Sequence, residues 1–184
     1  MCLDLGASTG GFTDCLLQHG ARRVYAVDVG RGQIHWRLRN DPRVLLREGV
    51  NARYLTASQI GEPVDLITAD LAFISLRKVL PAAIALLARP GWGIFLVKPQ
   101  FEAGPGDVVR GVVRDRAVHR RVTEELLGFV RDGLGASWQE LIDSPLLGPA
   151  GNREFLLAAR WQRAADRGGV GEADAVAPAA DGQT

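Results

Sequence analysis

Short apolar runs alternate with helical patterns along almost the whole chain, and this alternation limits the fold more than any single residue does. Strand-like runs occupy residues 1–5, 23–27, 44–47, 64–69 and 93–97. Between them the spacing predicts helices over 11–19, 33–39 and 76–88, a short turn near 57–60, and a longer helix over 117–134. Strands this short, joined by helices, build a parallel sheet covered on both faces. Two further runs, 138–142 and 154–159, have no helix between them and read as antiparallel neighbours. The expected class is α/β, a mostly parallel seven-stranded sheet closed by a C-terminal antiparallel hairpin.

With 184 residues and 47% apolar content, the chain has material for one core. Residues 1–163 are expected to form that domain. From Ala164 onward the composition turns to Ala, Gly, Asp and Pro without periodicity, which reads as a disordered tail over 164–184. A net charge of +1 gives no global reason to bind nucleic acid or membrane. Cys2, Cys15 and three histidines fit no zinc spacing, so no metal is expected and a reducing cytoplasmic setting is natural. No apolar run approaches the roughly 20 residues of a membrane span. Residues 1–5 are already strand-like, and a strand at a terminus frays unless something flanks it. The expectation is therefore a segment upstream of Met1, lost or excluded by a misplaced start.

The chemistry concentrates at strand ends. Of 22 basic residues only Lys78 and Lys98 are lysine, and a lysine, unlike an arginine, can release its proton in a protein. Lys98 closes the apolar run Ile94-Phe95-Leu96-Val97 and is followed by Pro99, so its amine lies where the sheet meets solvent. A strand-end lysine that snorkels to water gives the same pattern. Asp70 ends the neighbouring strand, and Glu154 opens the last one after the turn-like Gly148 to Arg153. One lysine and two carboxylates thus converge at one edge, which weighs more than any of them singly.

A glycine-rich turn follows the first strand: Asp4-Leu5-Gly6-Ala7-Ser8-Thr9-Gly10-Gly11-Phe12. Glycine permits a tight turn close to a ligand, and Ser8 or Thr9 is placed to cap the next helix. The spacing is not G-x-G-x-x-G, and G-K-[ST] is absent, which disfavours a nucleoside triphosphate. Asp4, just before the turn, is expected to place a carboxylate beside the pocket, repelling pyrophosphate and accepting a cation. Asp28, about 20 residues past the turn, can accept ribose hydroxyls or merely begin the turn at Gly30. Asn51, after the third strand, can reach a base or serve only its loop.

Leu96-Val97-Lys98-Pro99-Gln100-Phe101-Glu102-Ala103-Gly104 with Gly111-Val112-Val113-Arg114-Asp115 resembles the TlyA family of haemolysin-named ribosomal RNA methyltransferases. The glycine turn, Ala69-Asp70-Leu71-Ala72-Phe73-Ile74-Ser75-Leu76 and Gly151-Asn152-Arg153-Glu154-Phe155 resemble it too, so the likeness spans about residues 1–161. The chain is also similar to the wider FtsJ-like ribose 2′-O-methyltransferases with their Lys-Asp-Lys-Glu tetrad. The resemblance implies a Rossmann-like fold and S-adenosylmethionine as donor, whose sulfonium and amino groups suit an acidic turn. It further implies cytidine ribose in ribosomal RNA as substrate, and catalytic roles for Asp70, Lys98 and Glu154. Cofactor contacts then fall to Asp4, Gly6, Ser8, Thr9, Gly10, Gly11, Phe12, Asp28, Asn51 and Asp70.

Two departures bear on activity. The family's S4-like RNA-binding domain and the Ser-Arg-Gly-Gly-x-Lys-Leu segment carrying the first tetrad lysine lie before the start of this chain, and Ala72 stands where the family usually has serine. Two acids favour an ammonium at Lys98, whereas burial and a second lysine favour the amine. The fragment is therefore expected to hold Lys98 protonated and to turn over weakly until the upstream segment is restored. RNA contacts are expected at Arg110, Arg114, Arg116, Arg120 and Arg121, although a solvated helix start reads the same way. Trp36, Trp92, Trp138 and Trp161 read more as core than as stacking platforms. Other substrates fit less well, since Asp70-Leu71-Ala72-Phe73 lacks the prolines common in base-amine methyltransferases. A catalytically silent S-adenosylmethionine-binding module stays open, whereas a lytic role finds no amphipathic cationic helix.

Overall fold

The computed structural model describes residues 1–163, so the predicted tail over 164–184 lies outside the described residues. Seven strands form one sheet: β1 (Cys2–Leu5), β2 (Val24–Asp28), β3 (Val44–Glu48), β4 (Val64–Ala69), β5 (Leu87–Val97), β6 (Trp138–Asp143) and β7 (Phe155–Trp161). Their order is β3-β2-β1-β4-β5-β7-β6. The first five run parallel, and β7 inserts between β5 and β6, antiparallel to both. The α/β sheet and terminal hairpin expected from the sequence are both present. The chain starts at the centre of the sheet, runs outward to β3, and returns to lay β4 on the other side of β1. That reversal opens a crevice at the carboxyl ends of β1 and β4, the place where such sheets bind ligands.

Six helices connect the strands: α1 (Gly11–Gln18), α2 (Trp36–Arg39), α3 (Ala57–Ile60), α4 (Leu76–Ile84), α5 (Pro99–Glu102) and α6 (Arg116–Gly128). Strand alternation splits the core in two. Leu3, Leu5, Val27, Ile67, Phe95, Leu157 and Trp161 turn to one face and meet α4 and α6. Cys2, Val24, Ala26 and Val44 turn to the other face and meet α1 and α2. Beyond β4 this second face has no helix over it among the described residues. There Ile94, Leu96 and Leu156 stay partly exposed, and Trp92 and Trp138 stack edge to face with centroids 5.7 Å apart.

Several boundaries differ from the sequence reading. Helix α2 is only four residues long, because His35 is extended and caps Arg37. Helix α4 stops at Ile84, and Leu87 already pairs with Val64, so the apolar stretch read as the helix end belongs to β5. Pro99 does more than end a strand: its fixed φ suits the first position of α5. Helix α6 widens into a turn over Phe129–Gly133. Of the four tryptophans only Trp161 is core, whereas Trp36 is 63% exposed and Trp92 and Trp138 lie on the open face.

Trp161 stacks on Phe95 at 6.4 Å and donates its indole N–H to the Leu134 carbonyl at 2.8 Å. Trp161→Ala is therefore expected to cost about 3–5 kcal/mol in urea denaturation. Trp92→Ala, on the open face, is expected to cost less than half of that, and equal losses would contradict this assignment of core and surface.

Candidate active site

The turn after β1 is built on three left-handed residues, Gly6 (φ 76), Ser8 (φ 47) and Gly10 (φ 105). A Cβ on Gly6 would collide with the carbonyl oxygen of Asp70, and one on Gly10 would collide with Leu38. Glycine therefore lets this turn press against both the end of β4 and α2. The side-chain cap expected from Ser8 or Thr9 is not formed, since Gly10 takes the cap position without one. Instead the Ser8 N–H donates to Asp28 Oδ2 at 2.8 Å. Thr9, Gly11 and Phe12 lie at the start of α1, with Phe12 half-buried.

Asp4 is not the rim carboxylate expected from the sequence. It is 1% exposed beneath the turn, where its oxygens accept hydrogen bonds from the Thr13 hydroxyl (2.6 Å) and the Thr68 hydroxyl (2.9 Å). Burial pushes its carboxyl up to about 6, against the opposing pull of those hydroxyls. A group so enclosed fixes the turn from below and can influence a ligand only through it.

Asp28 ends β2 at the mouth of a narrow apolar slot of about 80 Å³, walled by Gly6, Val50, Asn51 and Leu71. Its two oxygens are aimed by the N–H groups of Ser8 and Gly30 (2.8 and 2.7 Å), which leaves lone pairs for a diol. Asn51 stands on the lip and caps the following turn through the Arg53 N–H.

The structure brings Asp70 and Lys98 together. Lys98 Nζ lies 2.6 Å from Asp70 Oδ1, the amine largely buried and the carboxylate half-exposed. The contact is an ion pair rather than an aligned hydrogen bond, for Oδ1 has no donor in hydrogen-bonding geometry. Glu154 is close by but makes no ion pair within 4.0 Å of Lys98 among the described residues. It is buried, with Oε1 unpartnered, and a Cβ on Gly148 would collide with that oxygen. Desolvation raises the Glu154 carboxyl, opposed by the Lys98 charge and a hydrogen bond from Gln100.

Beside Lys98 opens a second cavity of about 580 Å³, lined by Phe73, Gln100, Phe101, Arg110 and Asn152 among others. It shares Ala72 with the slot under Asp28. Phe73, which the sequence reading passed over, is 91% exposed on a left-handed backbone (φ 64) and tilts against Phe101 at 5.3 Å. Asn152 has no role assigned to it by the sequence beyond its place in the turn and the Gly151–Phe155 motif. It is buried and ties its own turn to the loop before α6, accepting from the Val113 N–H and donating to the Gly111 and Pro149 carbonyls. Its place in Gly-Asn-Arg-Glu, two residues before a site carboxylate, was the available signal.

The five arginines expected to contact RNA stand in different settings. Arg110 walls the cavity, whereas Arg114, Arg116 and Arg120 stand exposed on the loop and first turns of α6. Arg121 is held by Asp107 at 2.6 Å and Glu125 at 3.5 Å. Among the described residues no group of three or more His, Cys, Asp or Glu could hold a metal, and no helix is long and apolar enough to cross a membrane.

Comparison with known proteins gives this geometry a context. The model of the FtsJ-like methyltransferase family matches residues 1–161. The 16S/23S rRNA (cytidine-2′-O)-methyltransferase TlyA of Mycobacterium tuberculosis is 50% identical over 164 residues, 88% of this chain and 60% of that protein. The structure of a haemolysin-named protein of Streptococcus thermophilus superposes with a TM-score of 0.84 at 43% identity, covering 88% of this chain and 58% of that one. The N-methyltransferase NodS of Bradyrhizobium japonicum, solved with S-adenosyl-L-homocysteine, shares the fold at a TM-score of 0.61 and 18% identity, over 88% and 78% of the two chains. The chain spans about 60% of the length of the curated relatives it matches.

Asp4 offers a test of the site's electrostatics. Because burial raises its folded value above that of the unfolded chain, the folded protein keeps this proton between pH of about 4 and about 6 while the unfolded chain releases it. Stability from this group is thus full below that window and lost as pH rises through it. Asp4→Asn is expected to gain stability relative to the parent across the window, by on the order of 3 kcal/mol, and to stay level above it. Chemical denaturation at a series of pH values measures this, and a difference independent of pH would contradict it.

Proposed function

The chain belongs to the FtsJ-like methyltransferase family, and on that premise we propose that it methylates the 2′-hydroxyl of a cytidine ribose in ribosomal RNA, with S-adenosylmethionine as donor. The observation carrying this reading is the Lys98–Asp70 ion pair at 2.6 Å, set between the Asp28 slot and the cavity beside Phe73. The slot's residues fit the donor. Asp28 has lone pairs left for a ribose diol, and Val50 and Leu71 suit a flat base. When bound, S-adenosylmethionine supplies an electrophilic methyl group on a sulfonium.

The remaining work falls to side chains of this protein. A ribose hydroxyl is a weak nucleophile and must lose its proton as it attacks. Lys98 Nζ, as the neutral amine, is the group able to orient that hydroxyl and accept its proton as the oxygen attacks, and Asp70 then pairs with the ammonium formed. Holding two reactants in line contributes up to about 7–11 kcal/mol in ideal cases. Glu154 adds a second acid behind the amine. Phe73 and Phe101 offer apolar faces to the base, while Arg110, Arg114, Arg116 and Arg120 offer charge to phosphates, which makes binding salt-sensitive. The printed name of the Mycobacterium relative supports cytidine and ribosomal RNA. The cytoplasm, where ribosomes assemble, is the setting of this reading.

A second reading, cofactor binding with weak turnover, draws on one observation. Lys78, the other lysine, is exposed on α4, and among the described residues no second lysine lines the cavity beside Lys98.

Calorimetry with S-adenosylmethionine and tritiated methyl transfer to ribosomal RNA separate the two. Lys98→Met is expected to lower turnover by roughly 100-fold or more while leaving cofactor affinity intact. Asp28→Ala is expected to weaken cofactor binding by about 10- to 100-fold. Label recovered in alkali-resistant dinucleotides identifies the ribose 2′-oxygen as acceptor. Label in free bases, or full turnover by Lys98→Met, would contradict the proposal.

A further inference from the structure

The loops after β2 and β3 carry features that the chemistry at Lys98 does not use. Trp36 is 63% exposed and Tyr54 is 66% exposed, a large apolar area to leave in water. Each has an arginine over its ring: the Arg37 guanidinium lies 5.5 Å from the Trp36 centroid, and that of Arg53 lies 5.4 Å from Tyr54. His35 adds a second ring, 5.8 Å from Trp36. Residues 21–54 hold eight arginines against three carboxylates, in a chain whose net charge is only +1. Arg39 and Arg43 pair with Glu48 and Asp41, but Arg31, Arg37 and Arg53 reach no carboxylate within 4.0 Å among the described residues.

This surface is joined to the cofactor end of the sheet rather than lying apart from it. The His35 N–H donates to the Thr9 carbonyl at 3.0 Å, and Leu38 packs so closely on Gly10 that a Cβ there would collide. The Val50 N–H donates to the Asp28 carbonyl at 3.0 Å, which links the Tyr54 loop to the end of β2. A hollow of about 390 Å³ opens between the glycine turn and α2, walled by Thr9, Gly11, Asp14, His35 and Arg37. Asp14 is its one acidic wall, and Gln18 donates to that carboxylate at 2.6 Å.

We propose that these loops form a second RNA-contacting surface, in which Trp36 with Arg37 and Tyr54 with Arg53 stack unpaired bases flanking the methylated ribose. The inference rests on the reading of the chain as an RNA methyltransferase and adds where the strand runs: from the cavity beside Lys98, along the carboxyl edge, to β3. Exposed aromatics backed by unneutralised guanidinium groups suit single-stranded RNA, since every base has a face to stack and every nucleotide a phosphate. A paired helix hides its bases and gives such rings little to hold. An acidic protein surface would satisfy the arginines but leave the rings without planar partners.

The test is fluorescence-anisotropy titration of the full chain with a labelled unstructured RNA oligonucleotide, the same sequence as a duplex, and polyglutamate. Trp36→Ala and Tyr54→Ala are each expected to weaken binding of the unpaired RNA on the order of 10-fold with an unchanged salt slope. Trp36→Phe, which keeps a stacking face, is expected to restore most of the affinity. Arg37→Gln and Arg53→Gln are expected to lower the salt slope by roughly 0.7 each. Unpaired RNA bound by the alanine variants as tightly as by the parent, or polyglutamate matching RNA, would overturn the surface. S-adenosylmethionine binding and methyl transfer are read alongside. Unaltered RNA affinity in the variants, with methyl transfer intact, removes this surface alone. A parent that binds no RNA removes the RNA substrate as well.

Discussion

The close approach of Gly6 to the carbonyl of Asp70 is the contact on which the site depends. It clamps the turn after β1 to the end of β4, the two strands between which the chain reverses direction. From that clamp the rest follows by register. Asp4 pairs across to Ala26 and Thr68, so Asp28 and Asp70 end up one strand to either side of the turn. Lys98 follows at the end of β5, beside β4, and Glu154 opens the strand paired to β5. No long-range folding of loops is needed to assemble these groups, because parallel strands deliver their carboxyl ends to one rim.

Burying carboxylates at such a rim is costly, and the structure divides that cost unevenly. Asp4 is enclosed but satisfied by two hydroxyls, so it serves as a polar rivet under the turn. Glu154 is enclosed and only partly satisfied, with one oxygen unpartnered and a glycine backbone against it. Unsatisfied buried oxygens of this kind destabilise a fold, and such groups concentrate at functional sites. Asp70, half-exposed, holds the Lys98 amine at 2.6 Å while staying open to solvent. The same edge therefore contains a structural acid, a buried and partly satisfied acid, and an accessible one.

Much of this was legible in the sequence. Alternating runs gave the sheet, and the absence of a helix between the last two runs gave the hairpin, because side-chain period and loop length are local properties. Lys98 and Asp70 could be placed on one rim because each sits at the end of an apolar run. What was not legible depended on packing between segments. Asp4 read as a rim group because its hydroxyl partners, Thr13 and Thr68, are nine and 64 residues away. Trp36 read as core because composition cannot show that a four-residue helix turns it outward, and the exposure of Phe73 rests on a left-handed backbone that no local pattern announces. The end of α4 was misjudged for a similar reason: Leu87 pairs with Val64, a partner that no local window contains.

The central claim is that one nucleoside seat and one amine–carboxylate pair share the carboxyl edge between β1 and β4. A crystal structure with S-adenosyl-L-homocysteine tests it most directly. The account predicts ribose hydroxyls on the Asp28 carboxylate, the base between Val50 and Leu71, and the sulfur facing Lys98 across the Gly6 turn. A nucleoside bound away from Asp28, or a sulfur turned from Lys98 and Asp70, would contradict it.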